Sequence, residues 1–143
     1  MQMVQRLQEP TSCLVDELSV KIPETENRNW MDWNYPDELD AMIAAPNHHH
    51  LLMENDFVRV LDVRIAPGDI TPVHTHRWAA TLYILSWSDF IRYDGGGNIM
   101  VDSRNIESMK NPPPALWSEP LPPHALKNIG DKEIRVISVE IKK

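Results

Sequence analysis

Cysteine is nearly missing from this chain: Cys13 stands alone among 143 residues. One thiol forbids an internal disulfide, makes a cytoplasmic location the default, and excludes cysteine-based zinc sites. Long apolar runs are missing too. None approaches the ~20 residues that span a bilayer, and the leading MQMVQRLQEP lacks the apolar core of a signal peptide, so no membrane partner is expected. Positive charge is scarce and scattered, with 14 Lys and Arg against 21 Asp and Glu and a net charge of −7. That balance argues against nucleic acid as a partner. No Ser/His/Asp set, phosphate loop or nucleotide fingerprint appears, and there are no internal repeats. A metal, if bound, must sit on histidine and oxygen ligands.

What is present reads as one main domain preceded by a different segment. Residues 1–47 hold Trp30 and Trp33 in a polar setting without clean alternation. They read as an N-terminal arm or cap packed on the main domain or on a second subunit, with a partly disordered leader as the alternative. One short helix is expected there. Pro36 suits its first position, Asp37 and Glu38 its first turn, Leu39, Met42 and Ile43 share a face, and Pro46 stops it.

Residues 48–143 form the expected barrel domain, and from Phe57 onward the pattern is β. Phe57, Leu61, Val63 and Ile65 alternate on one face, with Arg59 as the exception, and Pro67-Gly68 closes the run as a turn. Further strands are expected at Thr81–Trp87, Phe90–Asp94, Asn98–Val101, Ala115–Trp117, His124–Ile129 and Ile134–Ile141. Gly95, Gly96 and Gly97 make a hairpin turn, and Pro112–Pro114 belong in a loop because proline cannot donate to a ladder. Short strands with turn signals and little helix predict an all-β barrel or sandwich. Asp89, Arg92 and Tyr93 read as the polar face of the hairpin, and Trp87 and Trp117 as core or mouth-lining surface.

The chemistry concentrates in Gly68-Asp-Ile-Thr-Pro-Val-His74-Thr-His76. Two histidines two apart on a strand share a face. A third, His124, arrives downstream in Pro-Pro-His124-Ala-Leu-Lys-Asn128. Imidazole suits several divalent transition metals. His48, His49 and His50 are consecutive and point in different directions, so they are expected to be structural or surface residues. Tyr83 and Arg77 are the candidate catalytic groups. The phenol could donate to a substrate oxygen, although barrel packing is the simpler role, and the arginine could clamp a carboxylate or be a solvated rim residue.

Gly68, five residues, His74, one residue, His76 resembles the first motif of the cupins, and His124-Ala-Leu-Lys-Asn128 matches the end of the second. The resemblance spans roughly residues 55–141. It implies an antiparallel jelly-roll β-barrel, a homodimer, and one divalent metal (Fe, Mn, Ni or Zn) inside the barrel. Ala80 and Thr81 stand where the first motif places a glutamate, and Leu121 stands where the second motif places glycine. The implied ligand set is therefore His74, His76 and His124. Some cupin dioxygenases, including those acting on thiols and β-diketones, are similar in using three histidines. The expected function is metal-dependent chemistry on a small polar metabolite: dioxygenase, isomerase or lyase. The alternative is a non-catalytic cupin that binds or senses a small ligand. A metal-free sugar epimerase-like cupin ranks last, because no histidine–aspartate pair is evident.

Overall fold

Alternating side chains build two antiparallel sheets that face each other. The computed structural model describes residues 32–142, nearly all within one compact unit, Asn34–Lys143. Trp30 and the earlier part of the expected arm lie outside the described residues. The first sheet runs in the order β1 (His49–Glu54), β2 (Val58–Ile65), β9 (Ile134–Ile141), β4 (Ala80–Ser86), β7 (Ala115–Ser118). The second runs β3 (His74–His76), β8 (Leu121–Asn128), β5 (Phe90–Asp94), β6 (Ile99–Asp102). Every strand pair is antiparallel. No helix among the described residues is long and apolar enough to cross a membrane.

Period two decides what enters the barrel. On β9, Ile134, Val136, Ser138 and Glu140 are buried in alternation. On β4, Ala80 is buried while Thr81, Tyr83 and Leu85 are exposed. Ile65, Phe90 and Ile134 form the apolar core, with Trp87, Val101, Met109 and Leu126 packed against it. The Trp87 ring meets Phe90 edge-on at 5.5 Å and donates its Nε1–H to the Met109 carbonyl.

Three local features differ from the expectations. Strand β1 was not anticipated. It is an edge strand paired only with β2, and only its first residue is buried, so it carries no alternation to read. The expected helix is a 3₁₀ turn, Asp37–Leu39, followed by α1 (Ala41–Ala44), whose N-cap Asp40 accepts from the Met42 N–H. It turns Ala41 and Ala45 inward while Ile43 stays exposed. Strand β8 begins at Leu121, so Pro122 and Pro123 lie within it. The pairing with β3 shifts between His74 and His76, and that irregularity lets a ladder tolerate residues without N–H donors.

Asn128, the last residue of the second motif, is a clasp. It is fully buried, its Nδ2 donates to the carbonyls of Ile65 and Lys132, and its Oδ1 accepts from the Gly130 N–H. Its backbone carbonyl also accepts from Gly68, which holds a φ of 81° that a side-chain-bearing residue rarely adopts. Asn128→Ala strands these groups in the interior and is expected to lower stability by about 2–4 kcal/mol in denaturant unfolding. A change under about 0.5 kcal/mol would remove the clasp role.

Candidate functional site

Four histidines from three strands meet at one end of the barrel. His74 and His76 come from β3 and face inward together by alternation. His124 sits opposite His74 in the β3–β8 register, and opposite residues of an antiparallel pair share a face. The fourth is His49, which pairs with Val63, a residue of the cavity wall. The ring centroids of His74 lie 4.4 Å from His124, 4.7 Å from His49 and 5.0 Å from His76. His49, His74 and His76 each offer a nitrogen within 4.8 Å of the others. His124 closes the group at 5.6 Å from His76.

The hydrogen bonds settle which nitrogens are free. Nδ1 of His74 bonds the Pro72 carbonyl and Nδ1 of His124 the Pro122 carbonyl, both at 2.7 Å. Nδ1 of His49 bonds the Ala45 carbonyl at 2.9 Å, and Nδ1 of His76 faces Glu140 Oε2 at 3.1 Å. A carbonyl or carboxylate oxygen only accepts, so each imidazole carries its proton on Nδ1 and keeps its lone pair on Nε2. Metal-bound histidines use this arrangement, with the second nitrogen donating to a carbonyl or carboxylate. Burial, reinforced by the neighbouring imidazoles, lowers the pKa of His49 and His76 to about 3 and that of His124 to about 2. Burial lowers that of His74 as well. The cluster is neutral at pH 7 and ready to ligate without shedding protons. These donors fit a divalent transition metal.

The barrel does hold a carboxylate, but on a different strand from the one the motif specifies. Ala80 faces inward, and its cross-strand partner on β9 is Glu140, fully buried. Glu140 is also the partner of Arg59 on β2 and accepts from its Nε. The Arg59 fork closes on Asp40, with both nitrogens 2.9 Å from its two carboxylate oxygens. Burial alone would lower the Arg59 pKa, yet the bonds from Asp40 and Glu140 raise it above its ordinary value. Trp78 lies against this guanidinium, 5.0 Å from ring centre to carbon. The chain Asp40–Arg59–Glu140–His76 thus orients one ring of the cluster from behind.

Several expected site residues are placed differently. His49 was expected to be structural or superficial. It is corrected to a member of the cluster, because β1 turns its first residue inward. His50 is exposed, and His48 is buried against Asp69 at 2.7 Å. Tyr83 lies on the outer face of β4, 53% exposed, and Arg77 is exposed at the end of β3; neither lines the cavity. Trp117 is also on the outer face. Arg92, expected on a polar hairpin face, points into the barrel instead.

Comparison with known proteins follows this geometry. No family model matches the sequence, and no curated protein resembles it significantly. Solved structures do match. A cupin domain from Bordetella pertussis shares 17% identity over 66% of this chain and 92% of its own, with a TM-score of 0.50. This chain has the cupin fold. An RmlC-like cupin with a double-stranded β-helix from Methanocaldococcus jannaschii shares 12% identity over 65% of this chain and 77% of its own, TM-score 0.45. A double-stranded β-helix protein from Klebsiella pneumoniae shares 16% identity over 85% of this chain and 89% of its own, TM-score 0.45. At such identities the likeness establishes the cupin jelly roll, and the function must be argued from the residues.

Proposed function

We propose that this cupin holds one divalent transition metal on His49, His74, His76 and His124, beside a small ligand cavity in the barrel. The observation that carries the reading is the set of four adjacent imidazoles, each with its Nδ1 proton engaged and its Nε2 free. The three ligands expected from the sequence become four, with an imidazole from β1 compensating for the carboxylate absent at Ala80. A bound dication supplies Lewis acidity and a template for substrate. The chain's own residues do the rest. Pro72, Pro122 and Ala45 carbonyls and Glu140 fix the ring orientations, and the apolar walls exclude water.

The cavity wall also narrows the chemistry. Beyond the histidines and Arg92 it is lined by serine, threonine and apolar side chains, with no carboxylate, tyrosine or lysine among the described residues. With the imidazoles engaged by the metal, an isomerase or lyase that shuttles protons through a side-chain base finds no other base there among the described residues. The reading therefore favours metal-centred oxygen chemistry on a small molecule. The same bare wall supports, as the second reading, a cupin that binds a ligand without turning it over. Oxygen uptake with iron-loaded protein and candidate ligands separates the two.

Metal content tests the site itself. Wild type incubated with zinc or manganese and desalted should retain about one ion per chain by elemental analysis, as expected of a single site. His76→Ala and His49→Ala should each lose stoichiometric retention, while His50→Ala should keep it. Equal retention by wild type and His76→Ala would place any bound metal elsewhere.

A further inference from the structure

Arg92 is a half-buried cation with no anion beside it among the described residues. It sits on β5, two residues after the core residue Phe90, so alternation sends it into the cavity. Its Nε is fully buried and has no hydrogen-bond partner, and no carboxylate pairs with the guanidinium among the described residues. The acids that could have served are committed: Glu140 and Asp40 to Arg59, and Asp94 to its own hairpin turn. Burial lowers the Arg92 pKa, as expected for a cation whose charge nothing nearby offsets. A buried charge left unpaired is costly, and sites that tolerate one usually receive its partner from outside.

We infer that the cavity binds a small apolar carboxylate, its carboxylate group taken by the Arg92 fork and its hydrocarbon body packed against Ile65, Phe90 and Leu126. The planar guanidinium matches a carboxylate with two parallel bonds. A phosphate ester would bring a second charge and a third oxygen for which the wall offers no second free cation among the described residues. Size sets the rest. The cavity holds about 120 Å³, and an apolar cavity of about 150 Å³ takes a benzene, so a ligand of about five non-hydrogen atoms fits. Arg92 lines the same cavity as His76 and His124. An acid held by Arg92 therefore shares the cavity with the imidazoles. The inference rests on the metal-site reading only for the ligand's far end.

Calorimetric titration of the full chain with propanoate and with its neutral isostere propanamide tests this, in metal-free and zinc-loaded forms. The acid should bind both forms, the amide at least about tenfold more weakly, and Arg92→Gln should weaken the acid by at least about tenfold while leaving zinc retention intact. Arg92→Lys, which keeps the charge but loses the fork, should fall between them. Should Arg92→Gln not fold, the acid–amide contrast and Arg92→Lys still decide. Equal affinity for acid and amide, an acid affinity unchanged in the variants, or no binding to either form of wild type would overturn the inference. Arg92-dependent binding in a protein that retains no zinc would sink the metal reading alone. Zinc retention with Arg92-independent binding would sink this inference alone.

Discussion

Glu140→Ala is expected to destabilise the metal-free protein by about 3–5 kcal/mol, the range for removing one partner of a buried ion pair. Glu140 is fully enclosed and accepts from two donors at once, the Arg59 Nε–H and the His76 Nδ1–H. Without it, Arg59 keeps Asp40 but leaves its Nε–H unpaired in the interior, and His76 loses the acceptor that fixes its tautomer. Glu140→Gln should be nearly as harmful. An amide oxygen can accept from one donor, but its NH₂ then confronts the other. Metal affinity should fall by about 10–100-fold in either variant, as for other lost partners of ligating histidines. Urea unfolding at pH 7.5 reads the stability, and competition with a chromophoric chelator reads the affinity. A stability loss under about 1 kcal/mol would mean that the pair contributes little net energy in this barrel. The double variant Arg59→Met/Glu140→Leu should cost less than the sum of the single changes, because neither charge is then left without its mate.

Part of this network was legible in the strand patterns. Arg59 interrupts the apolar face of Phe57, Leu61, Val63 and Ile65, and Glu140 shares a face with Ile134, Val136 and Ser138. Opposite charges on core faces point to a buried pair once their strands are neighbours. That adjacency of β2 and β9 is a long-range fact, set by barrel closure across roughly eighty residues, and no local pattern carries it. The β3 pair His74 and His76 was readable because period two is local. His124 was readable only through the second-motif resemblance, although Pro72-Val-His74 and Pro122-Pro-His124 share a spacing that the structure explains by the same carbonyl-to-Nδ1 bond. His49 was missed because β1 shows one buried residue and five exposed ones, which no periodicity test detects. Arg92 was misplaced for a different reason. Phe90-Ile-Arg-Tyr-Asp94 has apolar residues on both faces, so its alternation does not say which side is inside.

Mild acid should destabilise the metal-free protein well before its carboxylates protonate. His49 and His76 have pKa values lowered to about 3 and His124 to about 2, each chiefly by burial, while an unfolded histidine titrates near 6.5. Between those limits the unfolded chain binds protons that the folded chain refuses, so stability falls as pH drops below 6.5. Each group removes up to about 1.4 kcal/mol per pH unit in that window, and three together amount to several kcal/mol by pH 5.5. For a domain of this size that corresponds to a melting temperature lower by about 10 °C or more than at pH 7.5. Asp62 does not confuse the window. Its bonds from Arg135 and then Arg64 lower its pKa from 3.8 to about 2, so its contribution is lost only below about pH 4. His124→Gln removes one titrating group and should flatten the slope by about a quarter to a third. Saturating zinc should shift the fall to lower pH, because the ion occupies the lone pairs that protons must reach. A melting temperature unchanged from pH 7.5 to 5.5 in metal-free wild type would show that the cluster accepts protons without unfolding, and that its imidazoles are not held neutral by the barrel.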